Sequence, residues 1–191
     1  MGERTRIVQA RSIRRLSVYG TIGFGIGGAI GGAMWIAFNA PHLGFAILGA
    51  LGGASLSLNQ ENWKRTIITV LACAVGFDIG FLFPFFVSLA IWEPVYGQGF
   101  FIGCIGGAIG GVSLGLGLKE WRQSWLLALA GAIGFGIAAQ AIWDILRGLE
   151  PQVLWGAITL VIWGIVGGAS LGAALGYIEN KDIGRQPSNK K

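Results

Sequence analysis

The sequence predicts an all-α membrane protein whose six transmembrane helices form three tandem, parallel αα-hairpin repeats packed through glycine zippers. Three observations lead to this prediction: a shortage of charged residues, six long apolar stretches, and a motif that recurs at a nearly constant interval. Charged residues make up 12% of the 191 residues and hydrophobic ones 53%, whereas a soluble domain carries about 25% charged residues. The chain therefore lacks the polar side chains that a water-facing globule needs.

Six apolar stretches are long enough, or nearly long enough, to cross a bilayer as helices, which takes about 20 residues each. They are Leu16–Phe38, Leu43–Leu58, Thr66–Trp92, Gly99–Leu118, Ser124–Ile145 and Gln152–Ile178. The second stretch measures only about 24 Å as a helix. It is either a re-entrant segment or a full crossing, and its place in a repeated hairpin favours the crossing.

The basic residues orient these stretches. Thirteen of the 14 Lys and Arg fall on one predicted side, namely Arg4, Arg6, Arg11, Arg14, Arg15, Lys64, Arg65, Lys119, Arg122, Lys181, Arg185, Lys190 and Lys191. Only Arg147 falls on the other side. The positive-inside rule then predicts that both termini are cytoplasmic, in a bacterial plasma membrane or an internal membrane. The alternative, a patch for nucleic acid or anionic lipid, is less favoured because basic and uncharged loops alternate regularly.

A Gly-Gly-x-Ser-Leu motif recurs in the second, fourth and sixth stretches. Its copies start at Gly52, Gly110 and Gly167, and a Gly-Phe pair precedes each copy at 23–24, 76–77 and 134–135. Pro41, Pro94 and Pro151 fall in the three predicted outer turns. The repeats cover residues 16–58, 64–118 and 122–178, between a basic segment, 1–15, and a basic tail, 179–191. All three enter the membrane from one side, which predicts a pseudo-threefold axis along the membrane normal or a row of hairpins.

Small residues repeat every four positions along several of the predicted helices. The clearest lines are Gly103, Gly107 and Gly111 in the fourth helix, and Gly164, Gly168 and Gly172 in the sixth. Residues four apart share one helix face, and small residues let membrane helices approach closely. The lines predict helix packing; a glycine-lined pore or a groove for a flat cofactor is the alternative.

Asp78 is the one acidic residue that we place near the bilayer midplane. A charged carboxylate there costs at least about 2.5 kcal/mol, so such residues are functional candidates. The equivalent positions in the other repeats are Gly25 and Gly136. Pro84, six residues on, removes a helical hydrogen bond and predicts a kink, and an acid beside an interrupted helix is typical of transporter sites. The alternative is an acid that holds helices together through a Ser hydroxyl, Gln140 or Trp163.

Other polar residues carry weaker predictions. Gln140 lies on one face of the fifth helix and is a further binding or transport candidate. His42, the only histidine, is expected to be a solvated turn residue beside Pro41. Cys73 and Cys104 differ in predicted depth by roughly 12 Å, too far for a disulfide.

Two classes of function remain. The sequence carries no metalloprotease, serine-hydrolase or paired-carboxylate signature, so we expect neither an enzyme nor a resident metal or cofactor. The first class is an accessory, assembly or stabilising subunit of a larger membrane complex, whose partners are the bilayer and other membrane subunits or copies of itself. The second is a small channel or carrier with Asp78 at its narrow point. The number of glycine lines favours the first class.

Overall fold

The computed structural model describes residues 3–58, 62–90, 98–146 and 152–183. These ranges contain six α-helices and one 3-10 turn. They are α1 (Glu3–Phe38), α2 (Pro41–Ser57), α3 (Trp63–Ala90), α4 (Gln98–Gly117), the 3-10 turn Trp121–Gln123, α5 (Ser124–Leu146) and α6 (Gln152–Ile183). Each predicted apolar stretch is therefore helical, and the all-α prediction is confirmed. The predicted outer turns with Pro94 and Pro151, and the single outer cation Arg147, lie outside the described residues.

The first and last helices are longer than their predicted membrane spans. α1 begins at Glu3, well before Leu16, and α6 continues past Ile178 to Ile183. Neither extension contains Gly or Pro within its helical part, and residues such as Arg, Gln, Ala and Lys favour the helix. The basic N-terminal segment is thus continuous with the first helix.

Five helical segments within the described ranges are long and apolar enough to cross a bilayer. They are Ser12–Phe38, Trp63–Pro84, Gln98–Gly117, Trp121–Ile142 and Ile158–Lys181. Large apolar side chains cover the outer surface, as at Ile22, Val75 and Ile133, each more than half exposed. An apolar exterior of this extent fits hydrocarbon and not water, as expected of a multi-pass membrane protein. α2, with 17 residues, is shorter than these five.

The helices pack side by side in chain order, and the ring closes where α6 returns to α1. The most extensive contacts are those of α1 with α6 and of α4 with α5. Neighbouring helices run antiparallel, since Gly31 faces Gly44 at one end of the first pair while Gly23 faces Ser55 further along. We name the end of the bundle at which α1 begins and α6 ends the terminal side, and the opposite end the far side.

Aromatic rings fill the centre of the ring of helices. Phe24, Phe77 and Phe135 are fully buried, and their ring centroids lie 5.2, 5.3 and 6.0 Å apart. Toward the far side, Phe81 stacks on Phe45 at 5.0 Å and on Trp163 at 4.9 Å. The two layers of rings pack against each other at the middle of the bundle.

Glycines bring neighbouring helices into backbone contact. A methyl group at Gly103, Gly107 or Gly111 would overlap the α5 backbone, and one at Gly164, Gly168 or Gly172 would overlap the α1 backbone. The facing residues on α5 are Phe135, Gly131 and Leu127, and those on α1 are Phe24, Gly20 and Leu16. All six predicted packing glycines therefore face helices of the same chain.

Candidate functional site

Asp78 lies on the side of α3 that faces away from α4. Gly76 and Gly80 flank it two positions away in either direction, which places both on the opposite face of the helix. These two glycines contact Ser113 and Gly106 of α4, respectively. The other long neighbour of α3 in the ring is α2, so the carboxylate lies on the α2 side of α3.

The register between α2 and α3 fixes the height of Asp78. Phe45 of α2 stacks on Phe81 of α3, and a methyl group at Gly49 would meet the carbonyl of Cys73 and the Cβ of Phe77. Because the helices are antiparallel, Asp78 is level with the stretch of α2 between Phe45 and Gly49. The carboxylate therefore sits beside the middle of α2 and not at its end.

The Asp78 carboxylate has a buried oxygen without a hydrogen-bond donor in the described ranges. The residue is partly exposed on the flank of the bundle, yet its Oδ1 is buried and has no hydrogen-bond partner among the residues that the structure describes. A buried acceptor left without a donor costs roughly 1–3 kcal/mol. A hydrogen-bond donor from another molecule, or a proton on the carboxylate, would remove this cost.

The donors expected for Asp78 are engaged elsewhere or unpaired. The Ser55 hydroxyl donates to the carbonyl of Gly52 in its own helix at 2.8 Å. Gln140 Oε1 accepts from the Phe100 N–H at 3.2 Å, which caps the start of α4 from α5. Trp163 stacks within the aromatic core, and its Nε1 is buried with no hydrogen-bond partner in the described part of the chain. In the described part of the chain, Asp78 Oδ1 therefore accepts no hydrogen bond from Ser55, Gln140 or Trp163.

His42 is the side chain that sequence reasoning did not connect to Asp78. It is exposed in the first turn of α2, the helix that packs beside α3 on the Asp78 side. From the α2–α3 register, His42 lies somewhat more than one helical turn farther toward the far side than Asp78. The antiparallel pairing of a short second stretch with a longer third one was the signal that could have linked them.

Pro84 is buried within α3, and the helix continues through it to Ala90. Its ring has no N–H, so the carbonyl of Gly80 receives no helical hydrogen bond from this position. The expected kink at this proline stays a prediction. Pro84 and Asp78 lie six residues apart on one helix, and Gln140 lies at the α4–α5 contact, so the three candidates do not form one cluster.

Nucleophiles and metal ligands are sparse around this site. Both cysteines are free; Cys73 is buried and Cys104 partly so. Within the described ranges, no three His, Cys, Asp or Glu side chains lie close enough together to hold a metal ion. His42 and Asp78 are two ionisable side chains on the α2–α3 flank, more than one helical turn apart along the bundle axis.

Comparisons of this chain with protein-family models, curated proteins and solved structures find no match. Its own residues and their geometry therefore carry the functional proposal.

Proposed function

We propose that all six helices cross the bilayer as three parallel hairpins around a pseudo-threefold axis, with both termini in the cytoplasm. Three equivalent Phe residues, Phe24, Phe77 and Phe135, meet at the centre, which supports this arrangement. The Ser of each Gly-Gly-x-Ser-Leu motif supports it as well. A methyl group at the glycine before each Phe would overlap that Ser in the same hairpin, in the pairs Gly23–Ser55, Gly76–Ser113 and Gly134–Ser170.

The hairpins join with glycine zippers in a nearly regular way. Gly49 faces Cys73 of the second hairpin, and the equivalent Gly107 faces Gly131 of the third. Gly164 is the equivalent residue of the third hairpin, and it faces Phe24 of the first hairpin. If the repeat were exact, it would face Gly20, the residue equivalent to Cys73 and Gly131. The α6–α1 contact is therefore displaced by one helical turn, about 5.4 Å, relative to the other two, so the axis is approximate.

For the function, we infer that this chain is a non-enzymatic accessory, assembly or stabilising subunit of a larger membrane complex. The observation that carries this proposal is the flank position of Asp78, with its inward oxygen unpaired. A carboxylate in hydrocarbon is costly and finds a partner. Since the described bundle supplies none, a donor on a helix of another subunit, docked over α2 and α3, satisfies it.

The packed aromatic centre and the glycine contacts within the chain limit the surfaces on which that partner can dock. The fully buried side chains of Phe24, Phe77 and Phe135 occupy the middle of the bundle, so the partner does not dock there. The glycine lines of α4 and α6 face α5 and α1 of this chain, so they are used within the bundle. Replacing Gly107 or Gly168 by Leu is therefore expected to unfold the protein, and the partner surface lies at Asp78.

The test is co-purification from the native membrane in a mild detergent. We expect the wild type to emerge with a stoichiometric membrane partner, and Asp78→Leu to lose that partner while its melting temperature in detergent stays at or above that of the wild type. Ile133→Ala, which alters an exposed apolar side chain on α5, away from the proposed partner surface, serves as the control and keeps the partner. Recovery of the wild type as a lone monomer would contradict the proposal.

The unpaired oxygen of Asp78, with the exposed His42 farther along the same flank, favours a second candidate function, a small carrier for a proton or cation. Its path would run along the α2–α3 flank, because aromatic rings fill the centre. In this case wild-type proteoliposomes pass protons, Na⁺ or K⁺ down a gradient, and Asp78→Asn abolishes the flux without unfolding the protein. Absence of flux in wild-type vesicles under each gradient would exclude the carrier.

A further inference from the structure

A charged hollow lies on the terminal side, between the α4–α5 connection and the end of α6. It has a volume of about 600 Å³ and is lined by Lys119, Glu120, Trp121, Arg122, Gln123, Trp125, Leu126 and Lys181. Three cations and one carboxylate line it, so its formal charge is positive. Because the bundle has an apolar exterior, this hollow opens where the headgroups of the surrounding lipids would lie.

The geometry of this hollow points to a binding site for the phosphate of an anionic phospholipid headgroup. Basic hollows between membrane helices on the cytoplasmic side are suited to anionic lipid headgroups. Trp121 and Trp125 are 70% and 58% exposed, and tryptophans in such positions sit at headgroup level. Leu126, which packs against the core, gives the hollow an apolar side for the start of an acyl chain.

Lys119 occupies a backbone position that favours glycine, which indicates that its ammonium group has a function in the hollow. Lys119 has φ 62°, in the left-handed region where glycine is ordinarily preferred at the end of a helix. The N–H groups of Lys119 and Glu120 donate to the carbonyls of Leu116 and Gly115 at 3.1 and 2.8 Å, a pattern that ends α4 in a Schellman motif. A lysine here strains the backbone but places an ammonium group at the negative end of α4 and in the hollow.

Asn39 offers a matched comparison at the far side. It ends α1 with φ 51°, and the Ala40 N–H donates to the carbonyl of Trp35 at 3.3 Å. Asn tolerates this conformation better than Lys, and Asn39 does not line the hollow. The two helix ends share a backbone shape but differ in charge and surroundings.

The experiment is native mass spectrometry of the detergent-solubilised protein titrated with phosphatidylglycerol or with phosphatidylcholine of the same acyl chains. We expect tighter retention of phosphatidylglycerol. The combined Lys119→Gln, Arg122→Gln and Lys181→Gln variant should weaken it by at least about tenfold, since each interfacial cation contributes roughly fivefold. Lys64→Gln with Arg65→Gln, which removes two cations from the first turn of α3, should change it by less than about threefold.

Glycine variants keep the proposal testable if the triple variant does not fold. Lys119→Gly should raise the melting temperature by about 2–4 °C through relief of backbone strain and weaken phosphatidylglycerol retention severalfold. Asn39→Gly should raise the melting temperature by less and leave retention unchanged. A Lys119→Gly protein that retains phosphatidylglycerol as the wild type does would overturn the proposal.

Inorganic phosphate distinguishes a binding site for a lipid phosphate group from a binding site for free phosphate. Phosphate added at millimolar concentration should leave phosphatidylglycerol bound, because the lipid also contacts the apolar side of the hollow. Displacement of the lipid by free phosphate would overturn the lipid assignment, as would equal retention of phosphatidylglycerol and phosphatidylcholine.

Discussion

The rings of Phe24 and Phe77 lie with their centroids 5.2 Å apart at an interplanar angle of 54°, although they belong to the first and third helices. Each also contacts Phe135 of the fifth helix. Tilted contacts between aromatic rings place the positive edge of one ring near the negative face of another. The three odd-numbered helices are thus joined directly at the centre of the bundle.

Removing one of these rings should destabilise the bundle. Phe77→Ala is expected to lower the free energy of unfolding by about 3 kcal/mol, because it leaves a cavity among the remaining rings. The loss lies at the low end for such a change, since the unfolded helices also remain in an apolar solvent. Unfolding in dodecyl sulfate mixed micelles, followed by circular dichroism, measures it. Phe83→Ala, at a side chain 66% exposed, should change stability by less than about 0.5 kcal/mol.

Alanine should have opposite effects at two glycines. Gly107→Ala places a methyl group against the carbonyl of Gly131, so α4 and α5 must separate, at a cost of about 1–3 kcal/mol. Gly25→Ala meets only the Ile165 Cγ1 atom, at 3.2 Å, and gains up to about 1 kcal/mol of helix propensity. Thermal unfolding of the two variants in one detergent compares them. Equal destabilisation would show that contact between the helix backbones does not hold α4 against α5.

Gln140 should act through its acceptor oxygen. Gln140→Leu removes the cap on the Phe100 N–H and should cost about 1 kcal/mol, with faster hydrogen exchange at the start of α4. Gln140→Glu keeps an acceptor and places a negative charge at the positive helix end, so it should retain the slow exchange. Mass spectrometry of peptides that contain Phe100 measures the rates. A transport role for Gln140 predicts instead that both variants lose flux while exchange at Phe100 stays slow.

Single cysteines test whether α2 crosses the membrane. In a chain with Cys73→Ala and Cys104→Ala, His42→Cys and Lys64→Cys place one thiol at each end of the α2 segment. A full crossing predicts that a membrane-impermeant maleimide applied to intact cells labels only the His42→Cys protein. Labelling of both variants, or of neither, before the cells are opened would indicate a re-entrant α2.

Much of the fold follows from the sequence because its causes are local. Hydropathy gives the helices, and the left-handed residues Asn39 and Lys119 end α1 and α4 within one residue of the predicted ends of those stretches. The recurring Gly-Phe pair was also visible, since one pair precedes each copy of the Gly-Gly-x-Ser-Leu motif. The periodicity of one helix nevertheless does not show which other helix packs against each of its faces. For this reason the rings of Phe24, Phe77 and Phe135 could not be brought together from the sequence.

The candidate site was harder to predict because it depends on how two helices align. Asp78 stands out as an acid in an apolar stretch, whereas His42 looks like a turn residue until the contacts of Phe45 and Gly49 set the α2–α3 register. Similarly, a line such as Gly103, Gly107 and Gly111 looks the same in sequence whether it faces another subunit or α5. Only the packing distinguishes a surface for a partner from one used within the chain.

The extensive contact between α1 and α6 has a consequence for biosynthesis. α1 is made before α2 to α5, yet its residues Gly20, Gly28 and Phe24 are covered by α6, which is made after them. Until α6 is made, Gly20 and Gly28 face lipid and can pack against any other helix that approaches glycine closely. The ring of helices then closes late, because the pairing of α1 with α6 joins segments that are far apart in the sequence. A substitution on α6 such as Gly168→Leu should therefore leave the first two hairpins inserted but exposed to degradation.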